Sequence, residues 1–251
     1  MVPVMVAKGI TLVGGSESFN FELASGEIVG LVGLDGHGQE TFLRTLCGLS
    51  KPLTGRVMVC SDTGRHEIPN FKTAFAHGIV YLPRDRKSEG IFPSLSILDN
   101  FRVLTLQRSS RLGFVRRRPA LDAFERHRER LSIVLPGPAA LITSLSGGNQ
   151  QKVLLARLLE SQPRVMLLND PTRGVDYPTR LALYAALEEL STQSAVSIVV
   201  LSTENEEIVS HCHRAIVFRE GAPIVELDRD TLTTDTVLAG MFGMTGQGEA
   251  S

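Results

Sequence analysis

Some stretches of this sequence have the residue types and spacing for chemistry on a phosphate. Gly33-Leu34-Asp35-Gly36-His37-Gly38-Gln39-Glu40-Thr41 fits the phosphate-loop framework G-x-x-x-x-G-K-[ST] at both glycines and departs from it at the last two positions. Glycines let backbone N–H groups turn inward around phosphate oxygens, and a following helix presents its positive end to the same anion. Gln39 stands where a lysine would reach the β- and γ-phosphates, and Glu40 where a hydroxyl would hold magnesium. Both replacements remove support for a highly charged ligand. In Leu145-Ser146-Gly147-Gly148-Asn149-Gln150-Gln151-Lys152, Ser146 suits a helix N-cap, and the two glycines permit close backbone approach to the helix tip. A plain cap accounts for the serine but not for two glycines where a helix begins. The apolar run Val165-Met166-Leu167-Leu168 ends in Asn169-Asp170-Pro171-Thr172-Arg173-Gly174-Val175-Asp176. Asn169 offers a cation a carbonyl oxygen without charge, and Asp170 keeps a carboxylate.

The elements that must position these groups read as an α/β alternation. Glu27–Gly33 is a nearly continuous apolar run entering the glycine loop, as a buried strand does, and Phe42, Leu43, Leu46 and Leu49 then recur at helical spacing, closed by Gly48 and Pro52. A β pattern resumes over Gly55–Cys60, and Gly78–Leu82 is a short buried strand ending in the charged segment Pro83–Gly90. From Ser96 to Leu135 the pattern is helical, broken by a basic turn from Arg108 to Pro119, which suggests an inserted helical subdomain. Arg116-Arg117-Arg118 reads as a solvated surface, the sharper alternative being an interface with acidic partners. Strands over Arg164–Leu168, Val196–Leu201 and Arg214–Phe218 alternate with helices near Gly148–Glu160, Pro178–Leu190 and Asn205–Ser210. That alternation predicts a parallel sheet whose ligands sit beyond the carboxyl ends of the strands.

Composition bounds the function. The 251 residues are 43% hydrophobic, enough for a substantial core, and the net charge of -1 supplies no overall drive towards nucleic acid or an anionic membrane. No apolar segment approaches the roughly 18 to 20 residues needed to cross a bilayer, and the N-terminus lacks a signal-peptide core, so the chain reads as cytoplasmic. Cys47, Cys60 and Cys212 are odd in number and lack metal-ligand spacing, which favours buried reduced thiols. His37 occupies a variable position of the loop and is expected to face solvent; His211 and His213, flanking Cys212, read as surface residues.

Together, Leu145–Lys152, Arg173-Gly174-Val175-Asp176, and Asp85-Arg86-Lys87 before Gly90 resemble the ATP-binding cassette (ABC) ATPases, in particular the second, degenerate cassette of tandem sugar importers of the ribose and galactose type. The resemblance runs from about Val6 to Phe242. It implies a P-loop NTPase-like α/β cassette over residues 1–242, with a mostly parallel core sheet, an antiparallel β subdomain and a helical subdomain at about 96–154, followed by a flexible tail at 243–251. It implies ATP and Mg²⁺ as ligands, the nucleotide lying on Gly33, Asp35, Gly36, His37, Gly38, Gln39, Glu40 and Thr41, with Glu40 and Asn169 at the metal. Asp170 takes the place of the glutamate that orients the attacking water. The signature residues Ser146, Gly147, Gly148, Asn149 and Gln150 would address the γ-phosphate held by a second cassette, either another copy or a distinct one. Arg84 stands where such ATPases couple nucleotide to the transmembrane partner, Thr203 where they carry a switch histidine, and Asp176 closes the motif after Asp170.

The implied partners are that cassette, transmembrane permease subunits at the inner face of the plasma membrane, and, indirectly, a substrate-binding protein, with no nucleic acid. The departures at Gln39, Glu40, Asn169 and Asp170 put hydrolysis at the chain's own loop in question. One compensation suggests itself: Glu40 ligates magnesium in place of the missing aspartate, and Arg84 supplies charge near the phosphates. A non-catalytic structural or regulatory cassette is the alternative. ABC proteins of ribosomes or DNA would show a second cassette or a heptad-patterned insert, and a small-molecule kinase leaves the signature unexplained.

Overall fold

In the computed structural model, which describes residues 3–105, 110–111, 114–115 and 117–244, the short apolar runs form strands and the longer periodic runs form helices. The strands are β1 (Pro3–Thr11), β2 (Phe19–Ala24), β3 (Ile28–Gly33), β4 (Thr54–Ser61), β5 (Gly64–Glu67), β6 (Ile79–Leu82), β7 (Ser110–Arg111), β8 (Phe114–Val115), β9 (Val165–Asn169), β10 (Ser197–Leu201), β11 (Arg214–Arg219) and β12 (Ala222–Asp228). The chain divides into two compact units: residues up to Tyr81 with Arg164–Asn169 and Leu190 onward, and Leu82–Pro163 with Asp170–Glu189.

The first unit holds a six-stranded sheet in the order β12-β11-β3-β10-β9-β6 and a four-stranded antiparallel sheet in the order β2-β1-β4-β5. Strands β11, β3, β10 and β9 run parallel, and β12 is antiparallel to β11. Strands β9 and β10 are buried along their whole length, as expected of parallel strands covered on both faces. Alternate residues of these strands, Val29 and Leu31, Val165 and Leu167, Val199 and Leu201, Ile216 and Phe218, share one core with Met5, Ala7, Val57 and Val59 of the antiparallel sheet. The helix after the glycine loop, Gln39–Leu46, sinks Phe42, Leu43 and Leu46 into that core. Phe42 lies with its ring centroid 5.2 Å from both Phe19 and Phe21 and 5.4 Å from Phe218, which fixes the helix against the strand ends.

The second unit packs the helices Ile97–Arg102, Arg117–Arg130 and Gly147–Glu160 on one another, with Phe101 and Phe124 edge to face at 5.2 Å in its interior. It is broader than the expected 96–154 subdomain, because it also takes in the segment from Leu82 and the stretch Asp170–Glu189. The expected basic turn contains a short hairpin, β7 paired antiparallel with β8. Arg118 is exposed, whereas Arg108 and Arg116 lie outside the described residues. Gly243 and Met244, expected to belong to the tail, cap the helix Thr234–Met241 instead: Gly243 lies in the left-handed region at φ 70°, and their N–H groups bond Gly240 O and Ala239 O. Residues 245–251 lie outside the described residues. Among the described residues, no helix is long and apolar enough to cross a membrane.

Candidate functional site

The glycine loop rises from the end of β3. Gly36 and Gly38 have φ of 81° and 105°, and a Cβ on Gly38 would lie 2.8 Å from Gly221 Cα, so backbone conformation and close approach both call for glycine there. No side chain caps the helix that follows, which leaves its first N–H groups for a ligand. Gln39 is buried and folds back beneath the loop: its Nε2 donates to Gly33 O at 3.0 Å and Leu34 O at 2.9 Å. The amide thus braces the loop from within but carries no charge to a phosphate.

Glu40 accepts a 3.0 Å hydrogen bond from Asn169 Nδ2 at the end of β9. Asn169 is 0% exposed, and its Oδ1 has no hydrogen-bond partner among the described residues. The two positions expected at the metal are therefore side by side. Beside β9, the register of β10 pairs Leu201 with Asn169, and Thr203 lies two residues further on, exposed. Asp35 and Thr41 are exposed. His37, expected to face solvent, is half-buried, its Nδ1 shielded and its carbonyl accepting from Gly221 N, because Gly221 closes over the loop.

In the second unit, Ser146 caps the helix Gly147–Glu160, its Oγ accepting from Asn149 N at 3.4 Å and Asn149 Nδ2 at 3.1 Å. Ser146 is exposed, so the helix tip reaches the surface. A Cβ on Gly148 would lie 2.8 Å from Gly174 O, and one on Gly147 would collide with the guanidinium of Arg86. The backbone approach is a physical reason for glycine at 148, whereas at 147 the end of the Arg86 side chain would have to move. The polar residues after it turn inward: Gln150 donates to Ile142 O and Leu145 O, Gln151 to Pro171 O, and Lys152 to Ser132 O while pairing with Asp176 at 3.0 Å. Gln150, expected with the phosphate-facing signature, is instead buried and braces the loop into Ser146.

Asp170 begins the turn after β9 in a left-handed conformation, φ 47°, and its buried carboxylate lies 3.0 Å from Arg84 Nε. Arg84, expected to supply charge near the phosphates, is thus beside the position expected to orient water. Asp176 accepts from the N–H and hydroxyl of Thr179 at 2.9 and 2.7 Å. Those bonds, with Lys152 beside them, hold its carboxyl well below the usual range.

Sequence reasoning used Arg86 only as part of a motif and gave it no role, and it did not find the Lys152–Asp176 pair. A glycine pair signals that something approaches closely, not what approaches. The thiols are inert by position: burial raises Cys47 to about 12 and raises Cys212 as well, while Cys60 is only half-buried on β4, contrary to the expectation of a buried thiol. His213, expected at the surface, is exposed, and its Nδ1 accepts from Ile28 N at 2.9 Å at the start of β3. Among the described residues, no group of three or more His, Cys, Asp or Glu is arranged to hold a metal.

A strand-loop-helix phosphate cradle on a parallel sheet and a Ser-Gly-Gly helix tip together define a nucleotide-binding cassette of the P-loop class. The sequence profile of the ABC transporter family matches residues 16–173, and the chain belongs to that family. It is 34% identical over 247 residues to the ribose import ATP-binding protein RbsA 2 of Rubrobacter xylanophilus, covering 98% of this chain and 47% of that protein. It is 36% identical over 231 residues to a putative ribose/galactose/methyl galactoside import ATP-binding protein of Geobacillus kaustophilus, covering 92% and 45%. The chain therefore spans about half the length of the curated relatives it matches. Among solved structures, the ATP-binding cassette MJ0796, a dimer in a post-hydrolysis state with ADP and Pi, matches with a TM-score of 0.77 at 20% identity, over 90% of this chain and 98% of that one. This last likeness shows the fold.

Proposed function

We propose that this chain is the ATP-binding cassette of an importer for a sugar or similar small solute, in which Ser146, Gly147, Gly148 and Asn149 complete an ATP site held by a second cassette. The observation that carries the reading is the exposed, serine-capped tip of helix Gly147–Glu160, built with glycines at its first two positions. Backbone N–H groups at such a tip, together with the helix dipole, favour the charge of a phosphate. The relatives' own designation as ribose import ATP-binding proteins supports the import role. With no apolar span among the described residues, attachment to the inner face of the membrane would run through transmembrane permease subunits, and a substrate-binding protein would act through them. A distinct second cassette with the loop lysine fits better than another copy, whose loop would lack it too.

The chain's own loop supports weak nucleotide binding and little or no hydrolysis. Gln39 is neutral and occupied with Gly33 and Leu34, and Asp170 is beside Arg84. Loss of one preorganised donor at a centre of developing charge costs about 2.7–4 kcal/mol, or 10²–10³ in rate. Several such positions have changed, and even non-additive losses leave little turnover. Glu40 and the free Oδ1 of Asn169 supply the oxygen donors that Mg²⁺ takes, so these two residues would hold the ion, and Mg²⁺ when bound neutralises phosphate charge. Glu40→Gln should weaken Mg²⁺-dependent nucleotide binding, measured by titration; unchanged affinity rejects that assignment.

The decisive experiment adds the chain to a cassette with an intact phosphate loop and follows ATP turnover. A rise in turnover that Ser146→Arg abolishes is the expected result. No rise from a complex that still forms overturns the reading in favour of a structural or regulatory cassette.

A further inference from the structure

We infer that Arg86 is a further phosphate ligand of the signature face, its guanidinium reaching the terminal phosphate of an ATP presented by the second cassette. This deepens the reading above and rests on it. Arg86 Nη2 lies so close over Gly147 that a side chain there would collide with it, and both Nη atoms lie within 3.9 Å of where a Gly174 Cβ would be. The guanidinium is thus placed at the positive end of the helix Gly147–Glu160, where a cation is repelled unless an anion joins it.

Its neighbours in this unit each have an ion pair or hydrogen bond at the guanidinium, although the Nε of Arg102 and of Arg157 is, like that of Arg86, buried without a hydrogen-bond partner among the described residues. Arg84 lies beside Asp170, Arg102 pairs with Asp99, and Arg157 donates to Gly90 O. Arg86 has no ion pair or side-chain hydrogen bond among the described residues, and its Nε is buried without a partner. A buried donor left unmatched costs about 1–3 kcal/mol, and a ligand that supplies the acceptor removes that cost.

The position is also built. Arg86 opens the single π-helical turn Arg86–Gly90, capped by Asp85, whose carboxylate accepts from Lys87 N at 2.9 Å. Ile91 N returns to Arg86 O at 2.8 Å, and Arg157, buried and lowered by that burial to about 10, ties Gly90 O to the signature helix at 3.0 Å. π-turns recur where a functional side chain must be aimed. A planar guanidinium beside helix N–H groups matches the equatorial oxygens of a transferring phosphoryl group, on which charge accumulates. Water displaces ADP from the γ-phosphorus within groups of the second cassette, and Arg86 neither takes nor gives a proton.

The test measures stimulated ATP turnover of a cassette with an intact loop, in the presence of this chain unaltered or carrying Arg86→Gln, Arg86→Lys or Ser146→Arg. Arg86→Gln should lower the stimulated kcat about 100-fold, as for loss of one preorganised donor, with the affinity between the two cassettes in the absence of nucleotide unchanged. Arg86→Lys should recover part of it, since a point charge lacks the fork. Equal kcat and KM for Arg86→Gln and the unaltered chain, with Ser146→Arg abolishing stimulation, overturns the role of Arg86 and leaves the signature reading standing. Stimulation that survives Ser146→Arg overturns both. Should Arg86→Gln melt at a lower temperature than the unaltered chain, Arg86→Lys decides: a kcat and KM no different from the unaltered chain's, where the fork is lost, overturns the inference.

Discussion

The phosphate loop and the signature tip are built from the same parts, glycines ahead of a helix, yet they treat their polar side chains in opposite ways. Around the loop, the side chains at the positions expected to meet nucleotide are turned onto the protein itself: Gln39 onto Gly33 and Leu34, and Asn169, at the end of β9, onto Glu40. At the signature tip, the buried amides brace from behind while Ser146 stays exposed and Arg86 stays without a partner among the described residues. A backbone cradle can persist after its charged ligands are replaced, because glycine geometry and helix packing hold it.

The largest expected effect comes from restoring those charges. Gln39→Lys, Glu40→Thr, Asn169→Asp and Asp170→Glu combined should raise ATP turnover at the chain's own loop by at least about 100-fold, the scale of one donor at a charge-developing centre. Turnover no higher than that of the unaltered chain would show that these four side chains do not limit hydrolysis at the loop. Next in size is Gln39→Ala. It removes two hydrogen bonds and should lower stability by about 1–3 kcal/mol in urea unfolding, at about 0.5–1.5 kcal/mol for each bond. Nucleotide affinity should hardly change. A large loss of affinity instead would make Gln39 a ligand rather than a brace and would erase the contrast between the two tips.

Much of this contrast was legible in the sequence, because both motifs are local: glycine spacing, a capping serine and apolar runs of strand length occupy contiguous residues. Glu40 and Asn169 read as two positions at one metal, and the fold brings them to 3.0 Å. Other partnerships across sequence were not legible. Nothing in the charged run Pro83–Gly90 tells that Arg84 turns to Asp170 while Arg86 covers Gly147; that division follows from the π-helical turn that begins at Arg86. The hairpin β7–β8 escaped notice because each strand has two residues, too few for a period to show. Gln150 was misplaced for a related reason: a motif names its members without saying which face of the helix each one joins.

The smallest effect concerns Asp176, read from sequence as the close of the motif after Asp170 and found capping the helix Tyr177–Ser194 through Thr179. Asp176→Ala should cost about 0.5–2 kcal/mol, the range for a lost N-cap, seen as a lower Tm. Because the folded carboxyl titrates below its ordinary 3.8, its contribution is complete above that value and is lost as pH falls through the lower folded-state value. The variant should therefore show a shallower loss of stability on acidification than the unaltered chain. Salt should shrink the difference, since the side chain is 57% exposed and its pairing with Lys152 is screened. Full stimulation of a partner cassette by Asp176→Ala would confine this residue to capping, whereas a loss of stimulation out of proportion to the change in Tm would place it on the signature side of the comparison, among the groups kept for another molecule.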